Sequence, residues 1–153
     1  MRRPINARAE TVPTSRMFGA AFAKRRAIVP ADAFYEWQKE GDGKQPFAIA
    51  REDGQSLALA GLWEGFRWPD GTILRSFAII TTDANAEVAP IHDRMPVILE
   101  PADWPTWLGE VAGDPVALLR PAPDGILRTW PVSRAVNQPR NNAPELLCPV
   151  DAS

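Results

Sequence analysis

The stretch LRSFAIITT, at Leu74–Thr82, decides the fold class of this 153-residue chain. It is a nearly continuous run of apolar and β-branched residues, which is typical of a strand buried on both faces of a sheet. The turn signal Pro69–Gly71 precedes it, and the apolar run Ser56–Phe66 precedes that turn. We therefore predict a sheet with Leu74–Thr82 at its centre, buried on both faces.

Further strands are predicted on both sides of this centre. They lie at Ala27–Pro30, Ala33–Lys39, Pro46–Arg51, Ser56–Phe66, Met95–Leu99 and Ile126–Val132. Asp53-Gly54 is a two-residue turn of the kind that favours hairpins, so we expect Pro46–Arg51 to pair with Ser56–Phe66. Gly41–Gly43 marks a second hairpin turn.

The helices predicted from the sequence are short. Apolar spacing predicts a helix over Pro13–Lys24, another over Pro101–Leu108 and a single turn at Asn85–Pro90. Sixteen prolines disfavour long helices, because proline is barred from helix interiors. The predicted fold class is α+β, with a curved, mostly antiparallel sheet that tends to a barrel and short peripheral helices, in a single domain over residues 1–153.

The composition, 45% hydrophobic and 24% charged, is typical of a globular protein and excludes a disordered tail or a fibrous repeat. The apolar run Leu57–Trp63 is far shorter than the ~20 residues of a membrane span, and no apolar signal segment follows Met1. We therefore expect a cytoplasmic protein that contacts no membrane, and we take it to be a monomer.

The cysteine content and the absence of binding motifs bear on disulfides, metals and cofactors. The single cysteine, Cys148, cannot form an internal disulfide, and the usual zinc spacings are absent. The sequence also has no nucleotide, flavin or metal fingerprint. We therefore assign no cofactor and no metal.

Charge is spread unevenly along the chain. Residues 1–30 carry seven basic groups and one acidic group, a local charge of +6, although the whole chain has a net charge of −2. Fourteen of the seventeen basic residues are arginine, which suits bidentate phosphate recognition and stacking on bases. The alternative is a solvated basic face in a protein encoded by a GC-rich genome.

Two residues are candidates for acid–base chemistry. His92 is the only histidine and lies between two prolines, beside Asp93 and Arg94. Glu36 lies among aromatic residues in Phe34–Trp37, where partial desolvation would raise its pKa and suit it to proton transfer near neutrality. The alternatives are a hydrogen-bonded loop histidine and a strand glutamate that points to water.

Asn6 and Arg8 form a third candidate. They are two residues apart, so in an extended segment their side chains project to the same side. An amide that donates and accepts beside a cation suits a sugar-phosphate, whereas the alternative is a turn-forming asparagine before a helix.

Cys148, His92 and Glu36 supply the residue types of a thiol-hydrolase triad. The segment Leu146–Pro149 lacks the electropositive setting that a reactive thiol needs. The competing interpretation is a small buried hydrophobic residue near the terminus.

Six ordered blocks together resemble one family. They are Asn6–Thr11 (NARAET), Arg25-Arg26 followed by Val29–Asp32, Phe34–Trp37 (FYEW), Leu59–Glu64 (LAGLWE), Thr81–Asn85 (TTDAN) and His92–Pro96 (HDRMP). These blocks are similar to the SRAP family, the SOS response-associated peptidase domain. Its members shield abasic sites in single-stranded DNA through a covalent protein–DNA link, and they carry an autopeptidase activity.

The resemblance implies roles for individual residues. Asn6, Glu36 and His92 match the polar active-site groups, and Arg8 and Arg94 match phosphate-binding arginines. The implied partner is single-stranded DNA with abasic sites, which places the protein at the nucleoid within the cytoplasm. In the implied chemistry an N-terminal aminothiol closes a thiazolidine ring on the sugar aldehyde, while the glutamate moves protons, the histidine assists ring opening and the asparagine holds the product.

One departure from the family pattern concerns the nucleophile. Family members begin with Met followed by a cysteine, whereas here Arg2 follows Met1, and the asparagine motif normally comes some tens of residues later. We therefore expect a single SRAP-like domain that lacks the N-terminal portion of the family. Cys148 matches that cysteine in neither position nor context, so whether the chain is an enzyme stays open. Alternatives are a non-covalent binder of single-stranded or damaged DNA, an inert truncated fragment, and slow lyase chemistry through a surrogate amine.

Overall fold

A computed structural model describes residues 4–151, so the predicted roles of Met1, Arg2 and Arg3 lie outside it. The described chain forms the strands β1 (Asn6–Arg8), β2 (Arg26–Ala31), β3 (Phe34–Glu40), β4 (Gly43–Arg51), β5 (Leu57–Arg67), β6 (Ile73–Asp83), β7 (Arg94–Pro96) and β8 (Leu127–Pro131), and the α-helices α1 (Gly19–Lys24) and α2 (Trp104–Leu108). Short 3-10 helices lie at Val12–Thr14, Pro101–Asp103, Pro115–Leu118, Arg134–Asn137 and Pro144–Leu147. No helix among these residues is long and apolar enough to cross a membrane.

The chain divides into two compact units. The first unit comprises Met1–Pro30, as far as it is described, Ala58–Asp83 and Pro96–Ala122. The second comprises Ala31–Leu57, Ala84–Met95 and the described part of Pro123–Ser153.

The sheet of the first unit follows the order β1-β6-β5-β2. β5 and β6 are antiparallel and pair Gly61 with Ile79, whereas β1 runs parallel to β6. Its core comprises mainly small and aliphatic residues around Trp107, namely Ala7, Ala9, Val12, Ala21, Phe22, Ala58, Ala60, Leu62, Ile80, Val97, Leu99 and Leu118. The predicted place of Leu74–Thr82 inside the sheet is therefore confirmed.

The burial predicted for that strand was wrong. Residues 73–77 of β6 are exposed, and burial alternates only from Ala78 onward. Phe77 is 60% exposed. A run of residues with high β-propensity can therefore form a strand that is buried on one face only. High β-propensity indicates that side chains fit a pleated sheet, but it does not show whether both faces of the sheet are covered.

The second unit contains a three-stranded antiparallel sheet, β3-β4-β8. A two-residue turn, Gly41-Asp42, joins β3 to β4, with Glu40 opposite Gly43. Gly41 has φ +51°, a left-handed conformation that glycine adopts without a Cβ penalty. The predicted hairpin turn is confirmed.

The hairpin predicted around Asp53-Gly54 was wrong. The turn forms, with the Gln55 amide donating to Asp53 Oδ1 at 3.0 Å. However, β4 pairs with β3 and β8, and β5 pairs with β6. Local turn chemistry reverses the chain but does not choose the partner strand.

The predicted helix over Pro13–Lys24 was too long. Ser15 is extended, and its hydroxyl accepts from the amides of Met17 and Phe18 at 3.2 Å each, so the helix starts only at Gly19. The broad expectation is confirmed, since the chain is α+β with mostly antiparallel strands and short helices. Both sheets are open in the described residues, so the predicted tendency to a barrel is not seen.

Candidate active site

Glu36 lies in the middle of β3, opposite Phe47 of β4. Its side chain is 23% exposed, which differs from a strand glutamate that points to water. Burial raises the pKa of Glu36, and Asp93 adds to the increase. The charge of His92 and a hydrogen bond from the Trp37 backbone oppose the increase in this pKa without cancelling it. The Glu36 carboxyl group therefore loses its proton at a higher pH than an exposed glutamate does.

His92 lies on a loop that is stabilised by its own backbone hydrogen bonds. The amides of Ile91 and His92 both donate to the Val88 carbonyl, at 2.8 and 3.0 Å, and Ala89 donates to Asn85 at 2.9 Å. Val88 is fully buried, which anchors this turn. The loop therefore presents the imidazole from a hydrogen-bonded turn.

The imidazole lies against two carboxylates. His92 Nδ1 is 3.7 Å from Glu36 Oε2 and 3.5 Å from Asp93 Oδ1. The same nitrogen is 3.1 Å from both the amide nitrogen and the carbonyl oxygen of Arg94. A neutral Nδ1 can accept from the amide, and a protonated one can donate to the carbonyl, so this site accommodates either protonation state.

A cavity of about 530 Å³ opens beside Glu36 and His92. Its other lining residues are Trp37, Lys44, Val136, Asn137 and Pro139. Trp37 Nε1 donates to Asn137 Oδ1 at 2.7 Å, which fixes the indole as one wall. The cavity thus combines an acid–base pair, a cation and an aromatic surface in the second unit.

Asn6 and Arg8 belong to the first unit, on β1. Both side chains are exposed while Ala7 between them is buried, so the predicted projection to one side is confirmed. Arg8 Nε is 3.5 Å from Glu10 Oε2, and the Arg8 side chain is 66% exposed. The structure therefore brings Glu36 and His92 together, whereas Asn6 is part of the other unit.

Two further candidates have different surroundings. Arg94 is half-buried at the start of β7, and its backbone contacts the imidazole. Cys148 is exposed, so its interpretation as a buried residue was wrong, and it is not among the residues that line the Glu36–His92 cavity. Within residues 4–151, no group of three or more His, Cys, Asp or Glu side chains is arranged to hold a metal ion.

Comparison with known proteins places the chain in a family. Residues 1–139 match the family model described as SOS response associated peptidase (SRAP). The chain belongs to the SRAP family. The abasic site processing protein YoqW of Bacillus subtilis is 40% identical over 147 residues, covering 94% of this chain and 66% of YoqW.

Other relatives agree with this assignment. The abasic site processing protein YedK of Escherichia coli is 40% identical over 150 residues, covering 95% of this chain and 67% of YedK. The abasic site processing protein HMCES of Gallus gallus is 34% identical over 170 residues, covering 95% of this chain and 50% of HMCES. A crystal structure of a Bacteroides thetaiotaomicron protein superposes with a TM-score of 0.86 at 28% identity, over 95% of this chain and 65% of that one. The SRAP chain thus spans half to two thirds of the relatives that it matches.

Sequence reasoning missed several residues of this candidate site. Lys44, Asn137 and Pro139 line the cavity, and Gln38 contacts the His92 loop. The pattern after Ser133 gave no signal, because Arg134–Asn137 forms a single 3-10 turn without periodicity. Gln38 had a detectable signal, since alternation on β3 places it on the side of Glu36.

Proposed function

We propose that this SRAP chain recognises abasic sites in single-stranded DNA and that Glu36 and His92 exchange protons with the abasic sugar. The observation that carries the proposal is the 3.7 Å contact between His92 Nδ1 and Glu36 Oε2 beside a cavity of about 530 Å³. Family membership supports the substrate class, since the matched relatives are named abasic site processing proteins.

The pair suits the opening of the abasic sugar. The closed sugar is a hemiacetal, and its opening breaks the C1′–O4′ bond and forms a C1′ aldehyde. Glu36 accepts the C1′ hydroxyl proton, and protonated His92 gives a proton to O4′. Glu36 then releases its proton to solvent and the imidazole takes one up from solvent, which restores both groups. Because burial raises the pKa of Glu36, the carboxylate is a stronger base than an exposed glutamate.

Recognition of the strand is assigned to arginines and aromatic residues. Arg8 is exposed on β1, and residues 1–30 carry a local charge of +6. Cations that follow phosphates together with aromatic stacking surfaces bind single strands without sequence preference. In this proposal Arg8 and Arg94 bind phosphates of the strand, and Asn6 hydrogen-bonds to a sugar-phosphate beside Arg8 on β1.

The test measures sugar opening directly. An aminooxy probe captures only the open aldehyde, so its rate of capture from an abasic oligonucleotide reports opening. We expect the chain to accelerate capture, and Glu36→Gln to reduce that acceleration at least tenfold, since general acid–base catalysis contributes about 10²–10⁴-fold. Glu40→Gln, an exposed carboxylate at the end of β3, is the matched control. Equal rates for the two variants would overturn the role of Glu36.

A non-covalent binder is the second candidate function, and the exposed Arg8 favours it. It predicts a shift of abasic oligonucleotides in a native gel without acceleration of aldehyde capture. A heat-stable band in a denaturing gel, or a product trapped by borohydride, would instead indicate covalent chemistry through an amine of this chain.

A further inference from the structure

Gln38 forms a second contact between β3 and the histidine loop. It follows Glu36 by two residues on β3, and Pro90 precedes His92 by two residues on the loop. Gln38 Nε2 donates to the Pro90 carbonyl at 2.8 Å, while Glu36 Oε2 lies 3.7 Å from His92 Nδ1. Two side chains of one strand thus contact two positions of one loop with the same spacing.

The Gln38 contact has better hydrogen-bond geometry than the acid–base contact. A donor–acceptor distance of 2.8 Å is ordinary for a good hydrogen bond, whereas 3.7 Å is beyond hydrogen-bond range. The loop is hydrogen-bonded internally, because the Val88 carbonyl accepts from the amides of Ile91 and His92, so His92 keeps a fixed position relative to Pro90. A fixed Pro90 therefore restrains His92 as well.

We infer that Gln38 is a positioning residue, which holds the histidine loop at the distance that keeps His92 against Glu36. Gln38 does not line the cavity and so would act through the loop and not on the sugar. The inference deepens the proposed function and rests on the pair that it names. Loss of the Gln38 contact therefore removes one restraint that holds the loop against β3.

The consequence concerns the electrostatic coupling of the pair. The groups that face Glu36 are His92, Asp93 and the Trp37 amide, and Lys44 lines the same cavity. His92 lowers the pKa of Glu36 through its charge, an effect that weakens with distance. Loss of the Gln38 contact should therefore weaken the effect of His92 on the pKa of Glu36.

The experiment follows both titrations by NMR in the full chain without DNA. The observed signals are the Glu36 carboxyl carbon and the His92 imidazole carbons, from pH 3 to pH 9. In the natural chain, we expect the chemical shifts of the His92 carbons to change at the pH where Glu36 titrates. Gln38→Leu should reduce this change by at least half. Gln38→Asn, which keeps an uncharged amide donor, should restore part of this change.

The matched control is Gln55→Leu, which removes an exposed amide elsewhere in the second unit. Denaturation midpoints separate positioning from a merely structural role, since a general loss of stability would not be followed by partial recovery of the His92 signal in Gln38→Asn. A His92 shift change in Gln38→Leu as large as that in Gln55→Leu would overturn the inference. The measurement uses no DNA, so failure of the proposed function, seen as unaccelerated aldehyde capture, remains a separate result.

Discussion

At the scale of the residue, burial of the Glu36 side chain changes its acid–base properties. The sequence predicted a desolvated carboxyl group from its aromatic neighbours, and the structure gives a side chain that is 23% exposed with a raised pKa. The aromatic context was visible in Phe34–Trp37, whereas the approach of His92 depends on a loop 56 positions later in the chain. Local sequence therefore predicted the environment of Glu36, whereas its association with His92 followed only from the family resemblance.

The raised pKa of Glu36 has a defined effect on stability. A carboxyl group whose folded pKa lies above its unfolded value stabilises the fold below the unfolded pKa and loses that contribution as pH rises through the folded pKa. We therefore expect Glu36→Gln to be at least as stable as the natural chain at pH 7, with the advantage vanishing below about pH 4. Urea denaturation at several pH values measures this, and a Glu36→Gln variant that is less stable at pH 7 would contradict it.

Arg8 provides a second test at this scale. The side chain is 66% exposed, and its ion pair with Glu10 is long, at 3.5 Å, so the guanidinium is accessible to a phosphate. Arg8→Gln should weaken binding of single-stranded DNA and reduce the slope of log K against log salt by about one. Arg120→Gln, a 62% exposed arginine paired with Asp103, is the matched control and should leave the slope unchanged.

At the scale of the element, the sequence predicted strands well and their partners poorly. The β3–β4 hairpin was predictable because its turn, Gly41-Asp42, is local. The pairing of β4 with β8 was not, because it joins residues about 80 positions apart, and no turn encodes it. The extended conformation of Ser15 similarly shortened a helix that apolar spacing alone predicted.

Gly61 on β5 marks a close approach inside the first unit. A Cβ there would lie 2.9 Å from Val29 Cγ2, and valine is stiff because it is β-branched. We expect Gly61→Ala to reduce the free energy of unfolding by about 1–3 kcal/mol.

The control for Gly61 lies on the same strand. A Cβ at Gly65 would have its nearest contact at 4.0 Å, so Gly65→Ala should cost far less. Val29→Ala should reduce the cost of Gly61→Ala if the clash is its cause. Strict additivity in this double-mutant cycle, measured by chemical denaturation, would rule the clash out.

At the scale of the whole molecule, the first unit exposes several large apolar side chains around one cavity. Ile5, Met17 and Phe77 are 73%, 60% and 60% exposed, and they line an apolar cavity of about 310 Å³. Contiguous apolar surface of this kind favours association. The relatives are also longer than this chain, which covers 66% of YoqW.

This surface gives a prediction about solubility. Ile5→Thr combined with Met17→Gln should lower binding of the dye ANS and raise the concentration at which the chain aggregates. The free energy of unfolding should change by no more than about 0.5 kcal/mol per site, because both side chains are exposed. Unchanged dye binding would show that another surface is responsible.

The Glu36–His92 site is proposed to receive the abasic sugar, and an NMR titration at the His92 imidazole tests this most directly. Single-stranded oligonucleotides of identical sequence, one with an abasic site and one intact, are added to the full chain at constant pH and salt. We predict a saturable shift of the His92 signals with the abasic strand and a much smaller shift with the intact strand. Equal shifts with both strands, or binding of the abasic strand that leaves the His92 signals unmoved, would contradict the proposed role of this site.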